Sequence, residues 1–504
     1  MKKFCSLFLA FLILLGCLAT VNATGPDTGE SVPEESSAAG TEPQQTQPAV
    51  EVPTVSWGDA SVSNGCKTLD AAVPLGTGEN ILDTAKSAFL YEVGTDTVLY
   101  TLNPDMQVYP ASLVKLMTCL IALENGDPDD VVTVRQETLD TIPWDAAVID
   151  LSAGEELTLR DLLYATMVSS ANDAAAVAAE HIAGSQEAFV AQMNDRAAGL
   201  GCTNTHFANV HGLHDEQQYT TARDMARIMK EALKNEAFLE YFNEDYYVIE
   251  PTNMNDEPRP LCTSNYLMST LIAQEFYDDR VTGGKTGVTA NDGWCLVSTA
   301  QDNGVSLLSI VMDAQSVYAE DGYSVSVYGN LEDTATLIDY GFDNFQAVEL
   351  IYRNQSLTQC PVINGENDVV LGAAGAASAA VPAGVGLDSL QRKYILYSGD
   401  LTAPLEKGAA VGTVQIWYNS ICIAQCEMVT LSPVAVAAVT NQDSRQDAVT
   451  DEGGSGMGNV LKIFGIVFLV ILGVGVLLFV MAAIRSALIR SRRRRRRKNR
   501  RRSR

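Results

Sequence analysis

Tyr109-Pro110-Ala111-Ser112-Leu113-Val114-Lys115-Leu116-Met117-Thr118-Cys119-Leu120-Ile121 is the stretch from which the rest of the chain can be read. Leu113, Leu116, Met117, Leu120 and Ile121 recur at the spacing of one helix face, so an apolar helix is predicted directly after Pro110. Ser112 and Lys115 stand three residues apart, which places both side chains on one face of that helix. A serine hydroxyl attacks only when a base removes its proton. An amine can be that base only if burial or a second cation pulls its pKa down from about 10.4.

Two further motifs follow: Ser170-Ala171-Asn172, 58 residues beyond Ser112, and Lys285-Thr286-Gly287, 115 residues beyond Ser170. Each alone is a common tripeptide, but in this order they supply a complete chemistry. Lys285 is the natural second cation. Ser170 can relay a proton towards a leaving amine, and the Asn172 carboxamide can hold the lysine and a substrate peptide group. Lys285 and Thr286 suit a substrate carboxylate. The first amides of the Ser112 helix lie at the positive end of its dipole, where an oxyanion is stabilised. The sequence indicates no metal: Cys and His show none of the spacings of a metal site.

Outward from the motifs, Ser87–Val93 and Thr95–Tyr100 read as a hairpin around Gly94. Thr158-Leu159-Arg160-Asp161 resembles a capping box, and an Ala-rich helix capped by Asp173 is expected to stop near Gly184. After Gly283 the pattern turns to strands, at Trp294–Thr299 and Val305–Val311. Strands first, helices in the middle and strands last predict an α/β unit in which one antiparallel sheet gathers both ends against a helical cluster. Beyond Phe345 the helical pattern ends, and the alternation of Val414, Ile416 and Tyr418 marks a separate β module.

The two ends of the chain differ in character. The chain of 504 residues has a formal net charge of -28, yet Arg485–Arg504 alone holds 13 Lys and Arg and no acid, leaving -41 on the remainder. Lys2 and Lys3 before the apolar run Phe4–Leu18, with Val21-Asn22-Ala23 after it, read as a secretory signal over 1–23. Lipidation at Cys17 is the alternative processing. Residues 24–81 are Pro-, Ser- and Thr-rich and acidic, and are expected to be a disordered spacer. Ile463–Ile484 is an uncharged apolar run of 22 residues, enough to span about 30 Å of hydrocarbon, and the basic cluster after it marks the cytoplasmic side. Contact of the arginines with anionic lipid is preferred to nucleic-acid binding, since the tail has no aromatic residue to stack on a base. Eight cysteines lie beyond the signal and read mostly as buried small hydrophobes. Cys422 and Cys426, four residues apart on one strand, are too distant to bridge each other.

The three motifs resemble those of the penicillin-interacting serine enzymes. The text around them, Val168–Ala174, Val210–His214, Tyr219–Ala226, Gly283–Thr289 and Leu401–Val414, resembles the low-molecular-mass penicillin-binding proteins that act as D-alanyl-D-alanine carboxypeptidases. The resemblance implies a serine β-lactamase/transpeptidase-like α/β (α+β) catalytic domain over 82–345, a small all-β domain over 346–434, a linker over 435–462, a transmembrane helix over 463–484 and a basic cytoplasmic tail over 485–504. It implies Ser112 as acylated nucleophile, Lys115 as base, Ser170 and Asn172 in proton transfer and substrate holding, and Lys285, Thr286 and Gly287 in substrate binding. The backbone amides of Ser112 and Val288 would form the oxyanion hole. No cofactor is implied. The partners would be peptidoglycan stem peptides, β-lactams as inhibitors and membrane lipid, with the catalytic domain extracellular on a bacterial membrane.

Three positions depart from the family pattern. Ala171 stands where glycine is usual, and Val288 where His or Tyr often follows Lys-Thr-Gly. No arginine follows Met312 before Arg353, which shifts carboxylate binding onto Lys285 and Thr286. His211 and His214 are read as structural, and Arg223 and Asp224 as a local pair. A β-lactamase is the first alternative, disfavoured because none of the glutamates between Asn172 and Lys285 sits in the expected deacylating loop. A wall-binding or sensor protein without turnover is the second.

Overall fold

The computed structural model describes residues 78–289, 293–319 and 325–438, with 56–57, 69 and 74–76. The expected signal, apolar span and basic tail lie outside the described residues, as does the linker beyond residue 438. Among the described residues no helix is long and apolar enough to cross a membrane.

The hairpin expected around Gly94 is β1 (Ser87–Glu92) paired with β2 (Thr97–Leu102). Three helices that matter for function follow: α1 (Val114–Asn125), α2 (Leu159–Met167) and α3 (Asn172–Ala183). The capping box forms as read, with Thr158 and Asp161 satisfying each other's backbone amides. Gly184 ends α3 in the left-handed conformation, where a Cβ would be strained. After α4 (Ala222–Ala232) the chain returns as β3 (Val281–Thr289), β4 (Gly293–Asp302) and β5 (Val305–Ala314). The catalytic sheet has the order β2-β1-β5-β4-β3, all antiparallel, so the two earliest strands share it with the three latest.

Both faces of this sheet are covered, which explains why β1 is buried along its whole length. Phe89 and Tyr91 on β1, with Leu308, Ile310 and Met312 on β5, pack into the helical cluster. The alternate residues Leu90, Leu307 and Val311 face a second core on the other side. There α5 (Gly329–Asn344) crosses the strands so closely that a Cβ on Gly341 would press into Leu307.

In α5, Asp333 is 3% exposed, and its carboxylate accepts from the amides of Asp83 (3.1 Å), Thr84 (3.1 Å) and Ala85 (2.6 Å) and from the Thr84 hydroxyl (2.8 Å). It thereby fixes the lead into β1. Asp333→Ala is expected to leave these donors without an acceptor and to cost roughly 2–4 kcal/mol of stability. The check is the denaturant midpoint of the variant against the parent.

Among the described residues beyond Asn344 the regular elements are strands, apart from a 3-10 turn at Leu387–Ser389, consistent with the expected β module. The strands β6 (Phe345–Ile351), β7 (Ser356–Cys360), β8 (Val369–Ala373), β9 (Ala377–Pro382), β10 (Gln391–Leu396), β11 (Ala410–Tyr418) and β12 (Ile421–Thr430) make up most of it. One sheet runs β10-β11-β12-β8-β7, and β6 pairs separately with β9. The second core of the catalytic unit continues into this module through Tyr394, Val414 and Ile416.

Two sequence readings need correction. The spacer expected over residues 24–81 gives way to ordered chain before its end. Ser56–Trp57 pairs in parallel with β10, and Leu69 and Leu75 are buried in the two cores, because they are apolar islands in a polar segment. Arg223 and Asp224 do not pair with each other: Arg223 binds Asp105 and the Leu69 carbonyl, and Asp224 binds Arg227. Adjacent helix positions face different directions, so neighbours in sequence are poor partners. The cysteines follow the sequence reading: Cys119, Cys202 and Cys360 are buried thiols, and Cys426 is a half-buried thiol not bridged to Cys422, which is disulfide-bonded.

Candidate active site

Ser112 does not open the α-helix. It sits in the 3-10 turn Ala111–Leu113 that precedes α1, with Ala111 at φ +47°. The tighter turn still leaves Lys115 one turn beyond Ser112, and Lys115 Nζ lies 3.2 Å from Ser112 Oγ. Lys115 is fully buried. Its amine donates to Asn172 Oδ1 at 2.8 Å and to the His211 carbonyl in a short bond. The remaining contact is the serine hydroxyl, which donates to the amine once the amine is neutral.

Burial, and then the nearby charge of Lys285, hold Lys115 well below the ordinary lysine range. Lys285, 1% exposed in β3, is pushed down by burial to about 7, and its Nζ donates to the Thr286 carbonyl at 2.9 Å. Cys119, one turn past Lys115 and fully buried, lies in the field of both lysines; burial pushes its thiol up to about 12, so it remains neutral. The two amines are thus both buried and within each other's electrostatic reach.

Three separate segments bring the motifs together. β3 is an edge strand of the sheet, and its Gly287 abuts the serine turn: a Cβ there would lie 2.9 Å from the Pro110 carbonyl and 3.2 Å from the Ser112 amide nitrogen. Glycine is what allows the Lys-Thr-Gly strand to approach the Ser112 turn. Val288 follows at the rim, 41% exposed. The Val210–His214 loop passes beneath the serine turn, where Gly212 at φ +86° touches Ala111 so closely that any Cβ would overlap its carbonyl. α3 delivers Asn172, whose Nδ2 donates to the Ala147 carbonyl at 2.8 Å. Ser170, at φ +61° and half-buried, occupies the break between α2 and α3. Thr286 is 9% exposed, and its hydroxyl is hydrogen-bonded to Ser264.

The structure thus brings Ser112 and Asn172 into contact with Lys115, sets Gly287 against the serine turn, and holds Lys285 within electrostatic reach of Lys115; Ser170 lies two residues before Asn172. Sequence reasoning missed the main-chain acceptors. The His211 carbonyl grips Lys115 while the imidazole, pushed to about 3 first by burial and then by Lys115, stays neutral. Asp173 is not the helix cap, which is Ala171. Its carboxylate accepts from Ile149 (3.2 Å) and Leu151 (3.2 Å), tying down the 147–151 segment that meets Asn172. Carbonyl acceptors and loop anchors carry no residue-type signal, so the sequence alone could not have marked them. Among the described residues no cluster of His, Cys, Asp and Glu could hold a metal.

Comparison with known proteins gives the same outline. The family described as D-alanyl-D-alanine carboxypeptidase matches residues 78–316, and the one described as Penicillin-binding protein 5, C-terminal domain, matches residues 345–436. The chain is 31% identical to D-alanyl-D-alanine carboxypeptidase DacC of Escherichia coli, covering 69% of this chain and 84% of that protein. It is 30% identical to D-alanyl-D-alanine carboxypeptidase DacF of Bacillus subtilis, covering 70% and 84%. The crystal structure of penicillin binding protein 5 from Haemophilus influenzae superposes with a TM-score of 0.58 at 29% identity, covering 71% of this chain and 99% of that one.

Proposed function

This chain belongs to the D-alanyl-D-alanine carboxypeptidase family of low-molecular-mass penicillin-binding proteins, and we propose that Ser112 is the nucleophile of its reaction. It is a serine-type D-Ala-D-Ala carboxypeptidase, and peptidoglycan stem pentapeptides are its substrate class. One observation carries the assignment of the nucleophile. A fully buried amine is held 3.2 Å from the Ser112 hydroxyl by two acceptors, Asn172 Oδ1 and the His211 carbonyl, that fix its position.

In this reading the Ser112 proton passes to neutral Lys115 as Oγ attacks the carbonyl of the penultimate D-alanine. The carbonyl oxygen becomes an oxyanion facing the amides of Ser112 and Val288. Lys285 and the Thr286 hydroxyl receive the terminal carboxylate. The proton then travels through Ser170 to the departing amine, and D-alanine leaves. Water, deprotonated by Lys115, clears the acyl group from Ser112. A β-lactam presents the same carbonyl and carboxylate, but its leaving group stays tethered, so the adduct on Ser112 clears slowly.

The reading also places the catalytic domain outside the cell. The apolar run Ile463–Ile484 would cross the membrane, and the basic tail Arg485–Arg504 would rest on anionic lipid inside. The N-terminal signal-like segment supports export.

The deciding experiment is mass spectrometry of a D-Ala-D-Ala pentapeptide incubated with the protein. Loss of one alanine is expected, together with a penicillin adduct mapped to Ser112. Persistence of the intact pentapeptide, or an adduct on another residue, overturns the proposal.

A further inference from the structure

The Thr286 hydroxyl is bonded to a residue outside all three motifs. Ser264 follows the short strand Arg259–Cys262 and is exposed, while its neighbours Thr263 and Asn265 are both buried. Those neighbours are anchored in place. The Thr263 amide donates to the Asp245 carbonyl at 2.9 Å. The Asn265 amide donates to Thr263 Oγ1 at 3.1 Å, and Asn265 Nδ2 reaches Ser298 on β4 at 3.4 Å. Asn265 passes directly over Gly284, where any Cβ would overlap its carboxamide. The segment is thus clamped along the outer edge of β3, with the one exposed hydroxyl set against Thr286.

A hydroxyl has one proton and two acceptor sites. If Thr286 gives its proton to a carboxylate, its oxygen is left to accept from Ser264. If Ser264 gives its proton to the carboxylate, Thr286 supplies one to Ser264. Either way the pair presents an oriented O–H, and the second hydroxyl lies within one bond of the ligand. The arginines nearest in sequence are committed elsewhere: Arg259 to Glu155 and the Ile149 carbonyl, Arg280 to Asp278 and Asp339.

We propose that Ser264 is a specificity-determining residue of the carboxylate subsite, which recognises the substrate's terminal carboxylate through the Ser264–Thr286 hydroxyl pair and buried Lys285. This rests on the reading above that Thr286 meets the carboxylate. Without a guanidinium fork, carboxylate recognition depends on the hydroxyl geometry, so loss of one member is felt in binding more than in turnover.

The test compares an N-acylated peptide ending in D-Ala-D-Ala with the same peptide ending in a carboxamide, using Ser264→Ala and Ser264→Thr. For Ser264→Ala the KM of the carboxylate peptide is expected to rise about tenfold, with a smaller change in kcat. The preference for carboxylate over carboxamide, as a ratio of kcat/KM values, is expected to fall by a similar factor. Ser264→Thr, which keeps the hydroxyl, should restore both. An unchanged KM, or equal losses on the two peptides, overturns the inference while the parent's D-alanine release stands. A parent that releases no D-alanine overturns the functional reading, and this inference with it.

Discussion

Replacing Ser112 by alanine is expected to abolish D-alanine release, a fall on the order of 10⁶ in kcat, and to abolish the penicillin adduct as well. The reason is that every covalent step passes through one oxygen. Lys115 and Lys285 are buried amines, and no second hydroxyl is held against Lys115 among its described bonds. The change removes a single half-buried atom whose described bond is the one to Lys115, so the fold should lose no more than about 1 kcal/mol. Turnover assays and a thermal melt on the same preparation separate the two effects. A variant that still carries penicillin would place the nucleophile elsewhere.

Lys115→Met should leave Ser112 in position but without its base, lowering the acylation rate by roughly 10²–10⁴. The pH profile makes the same point without mutation. Lys115 must be neutral to take the serine proton, and burial and the Lys285 charge favour its neutral form. Activity is therefore lost as pH falls through the Lys115 pKa. Lys285 must be charged to meet a carboxylate, and burial holds it at about 7, so kcat/KM should decline as pH rises past that value. A bell-shaped profile is expected for the free enzyme. In Lys285→Ala the descending alkaline limb should vanish. The acid limb should move to higher pH, because Lys115 loses the cation that depressed it. An acid limb that stays put would show that the two amines are not coupled.

The placement of these groups depends on small features of the backbone. Gly287 allows β3 to approach the serine turn, and Gly212 allows the His211 carbonyl to reach Lys115. The turn around Ser112 is 3-10, not α, which leaves Ser112 before the regular helix while Lys115 is already within it. A buried amine deprived of water needs such fixed acceptors, and here they hold it against the serine.

The sequence by itself determined the local events. Helical spacing of Leu113–Ile121, the Thr158–Asp161 box, the Gly184 stop and the strand run after Gly283 are all short-range signals, and each forms in the structure. The order of strands, helices and strands also set the antiparallel sheet with the helical cluster against it. Only the tertiary structure decided who meets whom. Arg223 passes over its neighbour Asp224 for Asp105, and Asp173 holds the 149–151 loop instead of capping its helix. Ser264 reaches Thr286 across 22 residues. Leu69 and Leu75 bury themselves in cores that a polar segment gave no reason to expect. The physical reason is that helix and turn signals act over a few residues, whereas a side chain's partner is fixed by packing of distant segments, which no local pattern encodes.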